Sequence, residues 1–203
     1  MALPNQLIKR LEHPLSGPEM SIKNIPIVSS IYILNIDDIE KLFIDNRGKK
    51  CKSVIILYVS NIALDKQSGH WSCITLPDIP GRIDFFDSYG LFPDKYLYKD
   101  FGNVNYEIKN HLSNLLADSG CTIHYNEHRY QGKSRTIDGK KVQINTCGRH
   151  VLNFLYSGKD VDSYYDMMKK ERAKLIKIKK ESGITNKKDL YTTYDDLVCI
   201  LIN

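Results

Sequence analysis

No apolar run in this 203-residue chain approaches the ~20 residues that cross a membrane. The N-terminus lacks a basic segment followed by an apolar one, so no secretory signal is expected. Cysteine is sparse and odd in number: Cys51, Cys73, Cys121, Cys147 and Cys199, with no CxxC pair. That argues against a disulfide scaffold or a zinc site and for a reducing compartment. Repeats and low-complexity linkers are absent, which leaves a single domain over residues 1–203. Neither sign of charge dominates. The net charge of +5 permits an acidic partner without demanding one. What is present is ordinary globular composition, 42% hydrophobic and 26% charged.

Apolar patterning places a short amphipathic helix over residues 5–12, a strand over Ile27–Leu34 and an acidic-start helix over Ile36–Ile44. Ser53–Ser60 (SVIILYVS) is a continuous apolar run and reads as a buried central strand. Two more strands, Trp71–Leu76 and Arg82–Asp87, flank the turn-rich Pro77-Asp78-Ile79-Pro80-Gly81. Helices follow over Tyr106–Ala117, Cys147–Tyr156, Val161–Lys180 and Tyr194–Ile202, with a short strand at Cys121–Tyr125. Strands cluster in the middle and helices at the ends. The expected class is α+β, a central mixed or antiparallel sheet flanked by helices.

The chemistry concentrates in Asn145-Thr146-Cys147-Gly148-Arg149-His150-Val151-Leu152-Asn153-Phe154-Leu155. A cysteine opens an apolar helical pattern. First-turn N–H groups are unpaired and carry partial positive charge, which favours thiolate over thiol. Gly69-His70-Trp71 offers a base and Phe85-Phe86-Asp87-Ser88-Tyr89-Gly90 a carboxylate. A turn centred between Asp78 and Ile79 would set His70 directly opposite Asp87, on one face of the sheet. That is the nucleophile, base and orienter of a triad. The backbone N–H of Cys147 and a side-chain amide, Gln131 or Gln143, could hold the oxyanion.

GHW, FFDSYGLFPD, YNEHRYQ and NTCGRHVLNFL, in that order, resemble the adenovirus-protease (adenain) family. The resemblance is narrower to versions from virophages, polinton-like elements and large DNA viruses, and more distant to the deSUMOylating proteases. It covers residues 53–155 well and Leu15–Met20 and Ile31–Asp37 faintly, and Tyr194–Leu201 resembles the family's usual terminal helix. It implies an adenain-like fold with the nucleophile, Cys147, at a helix N-terminus. His70 would be the general base, Asp87 its orienter and Gln131 the oxyanion amide, with Trp71 and Gly148 lining the substrate side. The interval from Gln131 to Cys147 is longer than the family's. Lys133–Val142 contains Asp138-Gly139, a hairpin signal, and reads as an insertion that leaves Gln131 in place. Gln143 is the alternative amide.

The resemblance further implies a viral cysteine endopeptidase that matures capsid and core precursors in the virion and in the virus factory of the host cytoplasm. The alternatives are a protease removing ubiquitin-like modifiers and an inactive capsid- or DNA-binding module. No metal or obligatory cofactor is expected. DNA could act as an activator through Lys169, Lys170, Arg172, Lys174, Lys177, Lys179 and Lys180, although such a face is usually just solvated. Met168, Leu175, Ile176 and Ile178 of that helix should then find the core. Trp71 reads either as core alone or, in the functional version, as packing beside the imidazole and excluding water. Asp84 reads as a surface or turn residue. His124 and His128 suggest no metal spacing, and His150 and the remaining cysteines read as structural.

Overall fold

The computed structural model describes residues 5–59, 69–95, 110–137 and 139–202. Its centre is a five-stranded mixed sheet in chain order: β1 (Ile27–Ser29), β2 (Ser53–Val59), β3 (Gly69–Thr75), β4 (Arg82–Asp87) and β5 (Thr122–Tyr125). The outer pairs β1–β2 and β4–β5 are parallel, and β2–β3 and β3–β4 are antiparallel. The class is α+β.

Alternation along the strands divides the core in two. Val54, Ile56, Tyr58, Ile74, Ile83 and Phe85 pack against Ile39, Leu42 and Phe43, and against Leu112, Leu115 and Leu116 of the helix His111–Asp118. Ile55, Trp71, Cys73 and Phe86 face the other way. They meet Val151, Leu152 and Phe154 of the helix Cys147–Ser157, Tyr164 and Met168 of Val161–Glu181, and Leu197 and Val198 of Tyr194–Leu201. After Ser53, β2 is apolar because both of its faces are covered.

Three segments depart from the sequence reading, each through a polar bond. β1 stops at Ser29, whose hydroxyl accepts the Tyr32 N–H (3.2 Å) and starts a one-turn helix, Ser30–Ile33, in place of a strand to Leu34. The expected helix over Ile36–Ile44 is a 3₁₀ segment, Ile39–Phe43, capped by Asp38. Asp84 is fully buried and is no surface residue. Its carboxylate accepts from Arg82 Nε (2.6 Å) and from the Val161 N–H (2.8 Å), and so caps the start of a long helix. Ser60 and the N-terminal part of the expected helix over Tyr106–Ala117 lie outside the described residues.

The interval between Gln131 and Cys147 folds as a hairpin of β6 (Ser134–Ile137) and β7 (Lys140–Gln143). Ile137 pairs with Lys140 at the turn end of the hairpin, and Asp138 of the expected Asp138-Gly139 signal lies outside the described residues. Gly139 has φ +75°, the left-handed conformation such turns require. Ile137, Val142 and Ile144 form a small third core with Leu11 of the N-terminal helix Asn5–Glu12 and Cys199 of the terminal helix.

Candidate active site

β3 and β4 carry the two polar groups that sequence spacing suggested, in a register shifted by two residues. Asp87 lies opposite Ser72, not His70. The turn is centred one residue later than expected, between Ile79 and Pro80. A shift of two preserves the face, because side chains alternate with period two. His70 therefore reaches Asp87 diagonally, with Nε2 and Oδ2 2.5 Å apart. The remaining ring nitrogen serves the Cys147 thiol, which shares a hydrogen bond with the imidazole. Cys147 is the first residue of its helix.

Burial alone would strip the proton from His70. The Asp87 charge and hydrogen bond outweigh it, the sulfur adds to them, and the imidazole pKa is pushed up to about 9. Burial would likewise keep Cys147 a thiol. The hydrogen bond and charge of His70, then the backbone N–H groups of Trp71 and Gly148, reverse this and lower its pKa. Cys147 is 6% and His70 7% exposed, so the pair is weakly screened by water.

The loop after β4 fixes the carboxylate. Asp87 Oδ1 accepts the Tyr89 N–H at 2.8 Å, and the Asp87 N–H donates to Asn126 Oδ1 at 2.8 Å. Gly90 closes this turn with φ +66°. A Cβ there would lie 2.8 Å from the Glu127 carbonyl oxygen, so only glycine lets the two loops meet. The rings beside the imidazole are Tyr89 (centroids 5.2 Å apart, planes 21°) and Tyr58 (6.3 Å, 26°). The expected neighbour, Trp71, packs on the other face with Leu15 and Met20, its indole N–H donating to the Leu15 carbonyl at 3.0 Å. Its contribution to the site is its main-chain N–H. A Cβ on Gly148 would lie 3.3 Å from the Trp71 ring.

Gln131 is buried and tied at both ends of its amide. Ser88 Oγ donates to Oε1 (2.7 Å), and Nε2 donates to the Ile144 carbonyl (3.0 Å), in the segment that leads into Cys147. Gln143 is exposed on the hairpin. Ser88 also accepts the Tyr130 and Gln131 N–H groups, both at 2.9 Å, and so couples the carboxylate loop to the amide. Ser88 and Asn126 lie inside motifs whose other residues carried the reading. Nothing short-range in the sequence marks Asp195, which is buried and bonded to Thr146, His150 and Gly132.

The basic helix stands apart from this cluster. Lys169, Lys174 and Lys177 pair with Asp166, Glu171 and Glu181 on the same helix. Arg172 and Lys179 turn to the carbonyl and the hydroxyl of Thr192, while Lys170 and Lys180 are exposed. Met168 is buried as expected, whereas Ile178 is 57% exposed because the helix runs past the edge of the core.

No protein-family model matches the chain. Over 100 residues, 47% of its length, it is 32% identical to an uncharacterized protein, V9, of Sputnik virophage. The chain spans about half of that relative, 53% of its length. The similarity ties this sequence to virophage proteins and brings no activity with it. No helix among the described residues is long and apolar enough to cross a membrane.

Proposed function

We propose that this chain is a virophage-type cysteine endopeptidase with an adenain-like fold, acting on capsid and core precursor proteins in the virus factory and the assembling virion. One observation carries the reading: a helix-start cysteine, a histidine and a carboxylate form a continuous buried chain, with the thiol pKa lowered and the imidazole pKa raised. Structural cysteines are inert and pushed upward, as Cys199 is, to about 12, by burial. Cys147 is shifted the other way, as a nucleophile requires.

The chemistry follows from the pair. The Cys147 thiolate attacks a peptide carbonyl, and the C=O electrons move onto oxygen. The helix-start N–H groups and the second N–H of the Gln131 amide stabilise that oxyanion, since Ile144 occupies only one of the two. His70 gives its proton to the departing amine, and a thioester forms. His70 then takes a proton from water, whose oxygen displaces the thiolate and releases the acid. Asp87 holds the imidazole in place and stabilises its charged form. Viral DNA would be an auxiliary ligand of the exposed lysines, bound through backbone phosphates and therefore salt-sensitive.

The test is cleavage of a virophage capsid precursor, with new termini mapped by mass spectrometry. Cys147→Ala should keep the fold and lose activity by several orders of magnitude. Substantial turnover by the folded variant would remove Cys147 from the mechanism.

A further inference from the structure

We infer that Asp195 is a positioning residue for the proposed protease, fastening the Gln131–Gly132 segment to the turn that presents Cys147. This rests on the reading above and adds a function for the terminal helix. Asp195 lies in the first turn of Tyr194–Leu201, is 4% exposed, and uses both carboxylate oxygens. Oδ1 accepts the Thr146 hydroxyl (2.5 Å) and faces His150 Nε2 (3.1 Å). Oδ2 accepts the Gly132 N–H (2.9 Å). One side chain thus joins the residue after Gln131 to the residue before Cys147 and to the next turn of the Cys147 helix.

The bond to Thr146 has a second effect. Thr146 is the N-cap of the Cys147 helix, where a threonine hydroxyl ordinarily accepts a first-turn N–H. Here it makes no such cap bond and donates to Asp195 instead. The hydroxyl is thereby kept from accepting the first-turn N–H groups, which are left to serve the oxyanion. The neighbouring Asp196 serves the fold. It accepts from Arg135 of the hairpin (2.9 Å) and from the Thr193 N–H (2.8 Å), closing the terminal helix's own cap.

The consequence falls on the oxyanion side and not on the ion pair, since His70 and Asp87 are positioned by β3, β4 and Asn126. Asp195→Asn keeps the volume but puts an N–H₂ where one donor must be accepted. The full chain is assayed with a fluorogenic peptide amide bearing glycine before the scissile bond, and with iodoacetamide, which needs the thiolate but no oxyanion site. The expected result is a kcat lower by ~10–100-fold, the effect of a misplacement on the order of 1 Å, with KM and the alkylation rate of Cys147 within about twofold. Amide exchange at Gly132 should accelerate. Thr146→Val should lower kcat in the same selective way, and Thr146→Ser, which restores the hydroxyl, should recover it. These two variants keep the test decisive if Asp195→Asn does not fold. An unchanged kcat overturns the assignment. So does alkylation that falls in step with kcat, because Asp195 would then serve the ion pair. Wild-type protein whose Cys147 alkylates no faster than an ordinary thiol refutes the protease reading itself, separately from the variant-to-wild-type ratios that test Asp195.

Discussion

Replacing Asp87 by Asn changes one atom and should change which ring nitrogen of His70 holds the proton. Asp87 Oδ1 is committed to the Tyr89 N–H, so the new amide oxygen takes that place and the N–H₂ faces His70 Nε2. A donor there forces Nε2 to become an acceptor and puts the proton on the nitrogen that faces Cys147. That tautomer cannot take the thiol proton. With the carboxylate charge gone, only the Cys147 sulfur still opposes burial, and the His70 pKa falls from about 9. The thiol then loses the charge of His70 that lowers its pKa, while burial still opposes its ionisation. Iodoacetamide alkylation of Cys147 should therefore slow at pH 6.5, by up to ~100-fold if the thiolate fraction falls to that of an ordinary cysteine, and the gap should close near pH 10, where an ordinary thiol ionises unaided. The corresponding change in serine-protease triads costs about 10⁴-fold in kcat, and peptide hydrolysis here should fall by roughly 10²–10⁴. In the wild type the sign is fixed by the two shifts. The pair forms as pH rises through the lowered Cys147 pKa and is lost as His70 deprotonates near 9, so activity should plateau between them. A variant that alkylates at the wild-type rate at pH 6.5, or that is slowed equally at every pH, would refute this account of the site.

Two further outcomes follow from packing and from the amide. Gly148→Ala should cost ~1–3 kcal/mol, because a Cβ there meets Met20 Sδ at 2.8 Å and Leu15 Cβ at 3.1 Å. The thioether can move but the Leu15 Cβ is fixed to the backbone. Thermal unfolding should show a Tm lower by about 2–4 °C per kcal/mol, and an unshifted Tm would mean the segment around Leu15 is loosely held. Gln131→Ala should lower kcat by roughly 10²–10³-fold, the typical loss of one oxyanion donor. Gln143→Ala, on the exposed hairpin edge, should stay within about twofold, and the reverse ranking would transfer the role.

How much was legible depends on the range of each interaction. The Cys147 helix and the apolar β2 were readable because their signals are local: an apolar period of 3.6 residues after Cys147, and a seven-residue apolar run at β2. Asp87 was placed on the correct face through an incorrect register, since parity survives an error of two. Asp84 was misread because its partner, the Val161 N–H, is 77 residues away in sequence. Trp71 was misassigned for a related reason. The alternation that puts His70 on one face puts the next residue on the other, so the water-excluding rings come from Tyr58 and Tyr89. Asp195 was invisible because each of its bonds spans at least 45 positions.

The hairpin shows how a long interval between Gln131 and Cys147 leaves both ends of that interval at one place. The base of β6–β7 is closed by the bond from the Ile144 N–H to the Lys133 carbonyl, at 3.1 Å. Just below it, the Gln131 amide donates to the Ile144 carbonyl. The chain therefore leaves and re-enters the site at one place, and everything between can lengthen without moving either Gln131 or Cys147. Loop-closure entropy grows only logarithmically with length, so extending a segment whose ends already meet costs little. The hairpin residues also recover part of that cost, because Ile137 and Val142 bury against Leu11 and Cys199. The same small core draws the N-terminal and terminal helices together, and the terminal helix is the one that carries Asp195. A segment that looks like a detour along the sequence is thus, in the fold, a brace for the helix that holds the Cys147 turn.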